Sequence, residues 1–435
     1  MPKSQLHIGL SLSATWLGGE AWRREDSAAG DVFDLSFYRD IARRAEAAKL
    51  DFLFRADSLF CDPSLIEKSP GGLGGLDPTL LFAALATETR SIGLLTTLST
   101  QFYPPYIAAR QLQSLNRLSK GRAGWNIVTG LDGHQNFGRE KASSSAERYR
   151  QAGEFERVVQ ELWRSFPAEA ITLDRSTGRF ADATRIRPID HRGEDFAVAG
   201  PLNLPALPNA PIPIAQAGAS PDGRDFAAAI ADLVFAATPD RDAAIELRAD
   251  LNSRAAKAGR RSGAIRVLPG LNLYLAETDK EAEDLFAFTH RNADRGRKLE
   301  LIKRQIGLDL SEWRGGRAVR ITDLPPLTTA PRSATHAELL RRLIERETPT
   351  VDDLLRRPEV SASAHWQIVG TPESAAETID DWVRHGAIDG FIALPGGSIG
   401  SLHLVLERLV PLLVEEGLFR RDYESDIFAG HLNMV

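Results

Sequence analysis

Polar side chains interrupt an apolar run at residues 121–130, which read Gly-Arg-Ala-Gly-Trp-Asn-Ile-Val-Thr-Gly. The tryptophan, isoleucine and valine of this run are typical of a buried β-strand. Asn126 and Thr129 lie among them, where an amide and a hydroxyl group need hydrogen-bond partners. Gly121 and Gly124 would let another backbone or a flat ligand approach closely. The run is therefore either a strand whose end presents polar groups to a ligand, or a core strand that satisfies both groups internally.

A second stretch that suits ligand binding is residues 216–220, Gln-Ala-Gly-Ala-Ser, which ends an apolar run and precedes a helical pattern. Gly218 permits a tight turn, and the free N–H groups at the start of a helix attract a phosphate. Ser220 would add a hydroxyl group, although a serine before a helix is more often a plain N-cap. Tyr149 lies near the start of another predicted helix and is either a phosphate ligand or a core aromatic residue. Together these residues predict a seat for a phosphate.

Side chains that commonly carry acid–base or metal chemistry are sparse. No nucleophile–histidine–acid arrangement is visible, and the sequence has no cysteine pair, HExxH motif or histidine cluster that would indicate a metal site. His134 is interpreted as a satisfied or solvated loop residue, and Cys61 as an inert small side chain. A phosphate seat with few acid–base groups predicts that a bound cofactor carries the reaction.

Composition narrows the class of protein. A net charge of -6 and a pI near 5.9 argue against a nucleic-acid or anionic-membrane surface. No apolar run approaches the roughly 18 residues of a membrane-spanning helix, and the apolar run at 6–12 is too short for a secretory signal. A single cysteine excludes an internal disulfide and suits a reducing compartment. We therefore expect a cytoplasmic protein that acts on a small molecule.

Eight short apolar segments alternate with helical patterns, and these elements must position the polar residues. The predicted strands are 7–13, 51–55, 92–98, 121–130, 214–218, 233–237, 267–276 and 389–394. The predicted helices are 37–49, 78–89, 106–118, 146–165, 223–231, 240–258, 279–297, 371–385 and 401–416. Strands that alternate with helices form a parallel sheet, and eight of them favour a closed (β/α)8 TIM barrel over an open sheet. The glycine fingerprint of a dinucleotide-binding fold is missing after the first strand.

Two insertions interrupt this pattern in what we expect to be a single domain spanning residues 1–435. Residues 166–213 are rich in proline, with a possible hairpin at 180–187, and residues 299–366 are charged and partly helical. The glycine-rich loop 63–78 predicts a lid or binding loop. The residues after 416 read as a tail on a surface or a partner subunit.

In a TIM barrel the ligand site lies at the C-terminal ends of the strands. Asp57, Thr97, Asn126, Thr129 and Ser220 all lie at such ends, so the fold predicts that they converge on one mouth.

Arginines and tryptophans near this mouth are candidates for the substrate side. Arg23, Arg24 and Arg55 would suit a carboxylate or sulfonate, although solvated arginines are the more common case. Trp16 and Trp22 either wall a substrate pocket or are half-buried packing residues.

Motifs along nearly the whole chain resemble the bacterial luciferase-like flavin monooxygenases, in the branch that contains nitrilotriacetate, EDTA and dibenzothiophene-sulfone monooxygenases. The stretch Gly-Arg-Ala-Gly-Trp-Asn and the turn Gln-Ala-Gly-x-Ser are specific to this branch. The matching segments are 54–58, 97–100, 105–110, 121–129, 136–138, 148–149, 200–203, 216–220, 369–373, 389–391 and 410–413.

The resemblance implies a cofactor and its contacts. The expected cofactor is FMN, bound as FMNH2, with contacts from Asp57, Thr97, Asn126, Tyr149 and Ser220, the last two at the phosphate. Relatives often carry a histidine four residues before this tyrosine, whereas this chain has Ser145, which can donate to a phosphate without a cationic option. At residues 101–102 relatives often have Thr-Tyr, whereas this chain has Gln-Phe, so the substrate side is expected to differ.

The resemblance also implies a reaction and partners. FMNH2 from a separate NAD(P)H:flavin oxidoreductase would react with O2 in a dry pocket, and the resulting flavin hydroperoxide would oxygenate a C–N or C–S compound. A homodimer or homotetramer is expected, and the catalytic residues and substrate stay unassigned. Two alternatives remain: a hydride-transferring oxidoreductase that uses a deazaflavin or flavin, and a flavin-binding protein without turnover.

Overall fold

The computed structural model describes residues 5–67, 74–130, 132–140, 143–218, 220–261, 263–292, 295–326, 334–361 and 363–434. Within these residues the strands, numbered along the chain, are β1 His7–Ser11, β2 Phe52–Phe54, β3 Gly93–Ser99, β4 Ala123–Val128, β5 Ile171–Asp174, β6 Arg179–Ala181, β7 His191–Arg192, β8 Ala197–Val198, β9 Ile214–Gln216, β10 Leu233–Ala236, β11 Arg266–Leu275, β12 Trp366–Gly370 and β13 Gly390–Pro395.

Eight of these strands form a closed parallel barrel, which confirms the predicted TIM-barrel class. The order around the barrel is β1, β2, β3, β4, β9, β10, β11, β13, and the pairing of β13 with β1 closes it. Each of the eight predicted strands is present, within three residues of its predicted limits. Parallel strands with helical crossovers put every C-terminal strand end at the same mouth.

The helices surround the barrel. They are α1 Leu35–Ala47, α2 Pro63–Ile66, α3 Pro78–Leu85, α4 Pro105–Leu118, α5 Ser145–Ser165, α6 Pro221–Ile230, α7 Arg241–Lys257, α8 Asp279–His290, α9 Arg295–Ile306, α10 Ala334–Glu347, α11 Val351–Leu354, α12 Pro358–Ser361, α13 Pro372–Arg384, α14 Ile399–Leu404, α15 Val410–Glu415 and α16 Phe428–His431. A π-helical turn, Val405–Leu409, joins α14 to α15. Over the described chain, no helix is both long and apolar enough to cross a membrane.

Three elements in and next to the insertions differ from prediction. The predicted helix 279–297 is two helices, α8 and α9. The hairpin predicted at 180–187 is instead two small antiparallel pairs, β5 with β6 and β7 with β8. The strand β12 was not predicted: it pairs with the second half of β11, beyond the end of β10. Residues 68–73 of the predicted lid lie outside the described residues.

The C-terminal segment closes the bottom of the barrel, so the expectation of a surface tail is wrong. The ring of Phe428 is fully buried in the barrel interior with Leu432. A Cβ atom on Gly93 or Gly124 would lie 2.6 or 2.5 Å from this ring. The close approach predicted at Gly124 is therefore made by a side chain of the same protein.

Buried polar contacts hold this segment in place. Arg420 donates to the carboxylate of Asp51, which is itself fully buried and accepts from the backbone N–H of Ile8 at 2.7 Å. The two ring nitrogens of His431 lie 3.1 Å from the Asp51 carbonyl oxygen and 2.8 Å from that of Ser425. The barrel floor is thus fixed by both packing and hydrogen bonds.

We expect Phe428→Ala to lower the free energy of unfolding by about 3–5 kcal/mol, because it leaves a cavity under two glycines that cannot fill it. Urea unfolding followed by circular dichroism measures the change. Phe180→Ala is the matched control, since Phe180 is 67% exposed on β6 and its loss should change stability by no more than about 0.5 kcal/mol. A loss below about 1 kcal/mol for Phe428→Ala would show that the floor does not depend on this ring.

Candidate functional site

Thr97 on β3 and Asn126 on β4 form the polar centre of the barrel mouth. They are register partners on adjacent strands, and the Asn126 side-chain amide donates to the Thr97 hydroxyl at 3.0 Å. The same hydroxyl donates to the backbone carbonyl of Arg55 at 2.6 Å, at the end of β2. Asn126 Oδ1 is buried and has no hydrogen-bond partner. An unpaired buried acceptor costs about 1–3 kcal/mol, so this oxygen is a candidate to receive a donor from a ligand.

Tyr149 joins three elements at the neighbouring part of the mouth. Its hydroxyl group lies among the polar side chains of Ser220, Gln216 and Thr129, which come from the α6 N-terminus, β9 and the end of β4 and whose hydrogen bonding lowers its pKa. Burial raises the pKa of Tyr149, against the opposing effect of these hydrogen bonds. A Cβ atom on Gly218 would lie 2.1 Å from the tyrosine oxygen, so only glycine fits in this turn. Tyr149 is thus a partly buried aromatic residue and also the centre of a polar cluster with Ser220, Gln216 and Thr129, which we call the hub.

Ser220 is an N-cap, as the alternative interpretation held, and it also belongs to this hub. Its side-chain oxygen accepts from the backbone N–H of Gly223 at 3.2 Å, and Pro221 follows as the first helical residue. Pro221 has no N–H group, and the N–H groups of Gly223 and Arg224 are bonded to Ser220, so the backbone N–H of Asp222 is the one in this first turn that is left for an anion. The N-cap and phosphate interpretations are therefore compatible.

Ser145, the first residue of α5, lies beside the same helix start but faces a carboxylate. Its hydroxyl group donates to Asp222 Oδ2 at 3.0 Å, and both side chains are solvent-accessible. Asp222 stabilises the N-terminus of α6 through the helix dipole. It also puts a negative charge close to the expected phosphate position, where the family histidine would supply a positive one.

Asp57 follows β2 on the same edge of the barrel as Thr97, because β2 and β3 are neighbours. Burial, and then the negative charge of Asp77, raise the pKa of Asp57. The backbone of Ser58 and the charge of Arg55 act in the opposite direction. This carboxyl group therefore holds its proton to a higher pH than an exposed aspartate does.

The three candidate arginines all have partners within the protein. The buried guanidinium of Arg55 donates to the carbonyl of Leu12 and, at 3.1 Å, to that of Gly74. Arg23 pairs with Glu20 at 2.9 Å on the surface. Arg24 pairs with the carboxylate of Asp26 at 2.8 Å and 2.9 Å. Arg55 is buried rather than solvated and joins the loop after β1 to the loop before α3, while its Nε atom is buried without a partner.

The Gln-Phe pair that departs from the family pattern connects two loops above the mouth. Phe102 stacks on Phe137, with ring centroids 4.4 Å apart and an interplanar angle of 14°. The Gln101 side chain accepts from Arg139 at 3.0 Å and donates to Gln151 at 2.5 Å. This pair therefore anchors the loop after β4, which also carries His134, a partly buried residue.

Other candidates are structural or exposed. Trp16 is fully buried and packs against Phe37, whereas Trp22 is 38% exposed. Cys61 is an exposed free cysteine. Among the described residues, no group of three or more His, Cys, Asp or Glu side chains could hold a metal ion.

Two mouth residues were missed by the sequence analysis. Phe235 on β10 was treated as a plain strand residue, and His365, just before β12, fell within the predicted second insertion. Their rings stack with centroids 4.9 Å apart and an interplanar angle of 23°. The alternation in the segment 366–370, Trp-Gln-Ile-Val-Gly, was the signal that would have revealed β12 and with it His365.

Comparisons with known proteins agree with this arrangement. The family model described as luciferase-like monooxygenase matches residues 15–388. N-acetyl-S-(2-succino)cysteine monooxygenase of Bacillus subtilis (strain 168) is 33% identical, with 99% of this chain and 97% of the relative covered. Nitrilotriacetate monooxygenase component A of Aminobacter aminovorans is 34% identical, with 99% of this chain and 97% of the relative covered.

The fold of this chain also matches a solved structure over nearly its full length. The crystal structure of a riboflavin lyase with modified FMN and the substrate riboflavin has a TM-score of 0.84 and 28% sequence identity, covering 98% of this chain and 95% of that one. The predicted family resemblance is therefore confirmed by sequence and by fold. Since the matched region includes the strands that carry the polar mouth, the chain belongs to the luciferase-like monooxygenase family and is a monooxygenase.

Proposed function

We propose that this protein is the oxygenating component of a two-component system, which uses FMNH2 and O2 to oxygenate a small C–N or C–S compound by way of a flavin hydroperoxide. The observation that carries the proposal is the buried, unpaired Asn126 Oδ1 beside the hydrogen-bonded hub of Tyr149 and Ser220. A flat ring with N–H donors and a phosphate tail satisfies both features at once.

The phosphate would be held at the start of α6. Ser220 and Tyr149 supply hydroxyl groups there, and the helix supplies the backbone N–H of Asp222 and the positive end of its dipole. Gly218 leaves the space in front of the tyrosine oxygen free of a side chain. These groups favour a phosphate ester over an uncharged tail.

The ring system would lie against Thr97 and Asn126. The Asn126 amide group is already oriented by its 3.0 Å bond to Thr97, so its oxygen is pre-positioned as an acceptor. Asp57 would contact the same ligand from the adjacent strand end. When bound, reduced FMN supplies the electrons that activate O2. The protein's own task is to orient the ring and to exclude water from the mouth.

The name of one relative supports the proposal that a separate protein supplies FMNH2. One relative is called component A of nitrilotriacetate monooxygenase, a name that indicates a second component. We propose that a separate NAD(P)H:flavin oxidoreductase supplies FMNH2 to this chain too, and that residues 1–435 form a single domain that assembles as a homodimer or homotetramer.

We propose Asp57, Thr97, Asn126, Ser145, Tyr149 and Ser220 as the FMN contacts.

Rapid mixing of the FMNH2-loaded protein with O2 tests the oxygen chemistry. We expect a long-lived absorbance change distinct from free FMNH2 oxidation, followed by substrate oxygenation in a reductase-coupled assay. Free FMNH2 mixed with O2 is the control. Tight deazaflavin binding without any reaction with O2 would instead favour the hydride-transfer alternative. Retained FMN without O2 chemistry on any substrate would favour a binding protein.

Tyr149→Phe tests the phosphate seat. Removing the hydroxyl group takes away one phosphate contact and the bonds that orient Ser220, so we expect the Kd for FMN to rise about tenfold, equivalent to roughly 1.4 kcal/mol. Quenching of FMN fluorescence measures the Kd. Tyr106→Phe is the matched control, because its hydroxyl group contacts the backbone of Pro201 and Asn203 in the first insertion. An equal effect of both substitutions would place Tyr149 outside the site.

Asp222→Asn tests the charge beside Ser145. Because the substitution removes a carboxylate next to the phosphate, we expect FMN to bind about three- to tenfold more tightly, most clearly at low ionic strength. Asp242→Asn is the control, since Asp242 lies in the first turn of α7 rather than α6. Unchanged or weaker FMN binding in Asp222→Asn would argue against a phosphate at this helix start.

A further inference from the structure

An aromatic pair crosses the barrel at the bottom of the mouth. Phe54 on β2 and Phe235 on β10 lie four strands apart, yet their ring centroids are 5.4 Å apart. Leu233, two residues before Phe235 on the same face of β10, is only 2% exposed, whereas Phe235 is partly exposed. The packed interior therefore ends at the level of Phe235, and its ring faces the open part of the mouth.

His365 extends this aromatic surface. Its ring lies nearly parallel to that of Phe235 and occupies the space in front of Gly270, where a Cβ atom would lie 2.5 Å from His365 Nδ1. The next residue, Trp366, begins β12 and pairs with Leu271 of β11, which fixes the backbone of His365. The two rings form a surface that the strands hold in place, and we call Phe235 and His365 the aromatic wall.

The aromatic wall carries no positive charge. Burial lowers the pKa of His365 to about 4, so the imidazole is neutral at physiological pH. One ring nitrogen hydrogen-bonds the backbone of Ala236, and Nδ1 is buried without a partner. A neutral imidazole against a phenyl ring presents a flat, weakly polar surface.

Three arginines near the mouth already have partners within the protein. Arg55 donates to two backbone carbonyls, and Arg23 and Arg24 pair with Glu20 and Asp26. A polycarboxylate that entered the mouth would lose hydration without gaining these cations as partners, which is unfavourable for its charged form.

We propose that the substrate is a neutral molecule with a flat apolar face, which packs on the aromatic wall of Phe235 and His365, and not a polycarboxylate. This inference rests on the proposed function, and it names the substrate class of the same site. Thr97 and Asn126 would hold the cofactor on β3 and β4, and the aromatic wall, on β10 and just before β12, would hold the substrate. Dispersion and stacking on the wall supply the affinity, as in other aromatic contacts.

Two probes of known charge test the proposal on the full-length protein loaded with oxidised FMN. Dibenzothiophene sulfone is the neutral tricyclic probe, and nitrilotriacetate is the anionic one. We expect saturable calorimetric binding of the sulfone and none of nitrilotriacetate at pH 7.5. Phe235→Ala should raise the Kd for the sulfone about tenfold, whereas the exposed Phe180→Ala should leave it unchanged. Saturable nitrilotriacetate binding that displaces the sulfone, or an unchanged Kd in Phe235→Ala, would overturn the proposal.

His365 variants separate the flat face from the ring nitrogens. His365→Phe keeps a flat ring, so the Kd for the sulfone should stay within about threefold of the wild-type value, whereas His365→Ala should raise it about tenfold. Equal weakening in both variants would overturn the role assigned to the flat face. FMN affinity is measured on the same samples. Intact FMN binding with no sulfone binding contradicts only this inference, whereas absent FMN binding contradicts the proposed function.

Discussion

A closed eight-stranded barrel must fill its interior with side chains, and the point where the filling stops determines where a ligand can enter. In this protein Phe428 and Leu432 fill the lower end, and the interior residues of the strands continue upward to Phe54 and Phe235. Phe428 fits only because Gly93 and Gly124 have no side chains. The C-terminal segment and the glycines of β3 and β4 therefore form one packing unit, which leaves the opposite end of the barrel for polar residues.

The sequence predicted the elements whose signals are local. Each barrel strand is a short apolar run between helical patterns, and eight such runs indicated the closed barrel. Pairing of Thr97 with Asn126 also follows from the strand pattern, because parallel strands bring equivalent ends to one edge. The residue-by-residue family resemblance then added Tyr149, which pattern alone left undecided between a core aromatic residue and a phosphate ligand.

Features that depend on distant partners could not be predicted. The burial of the C-terminal segment depends on glycines about 300 residues earlier, and a tail sequence carries no sign of them. Arg55 is buried because backbone carbonyls from separate loops accept its donors, which its residue type does not reveal. The strand β12 pairs only where β11 extends beyond β10, and its short run of alternating burial lies between the end of a charged insertion and the next helix.

Few side chains around the mouth are suited for acid–base catalysis, because most of the polar and aromatic groups there are neutral. Thr97, Asn126 and Ser220 bear no charge, and His365 is neutral at physiological pH. Among the residues proposed as FMN contacts, Asp57 is the one carboxylate, and burial shifts its pKa upward, toward the neutral form. An environment with few charges and well-oriented hydrogen-bonding groups can stabilise a bound redox group. It does so by fixing the orientation of that group and by excluding water from the site. On the proposed function, the chain would place a reactive cofactor beside an apolar surface, and the cofactor would supply the proton and electron chemistry.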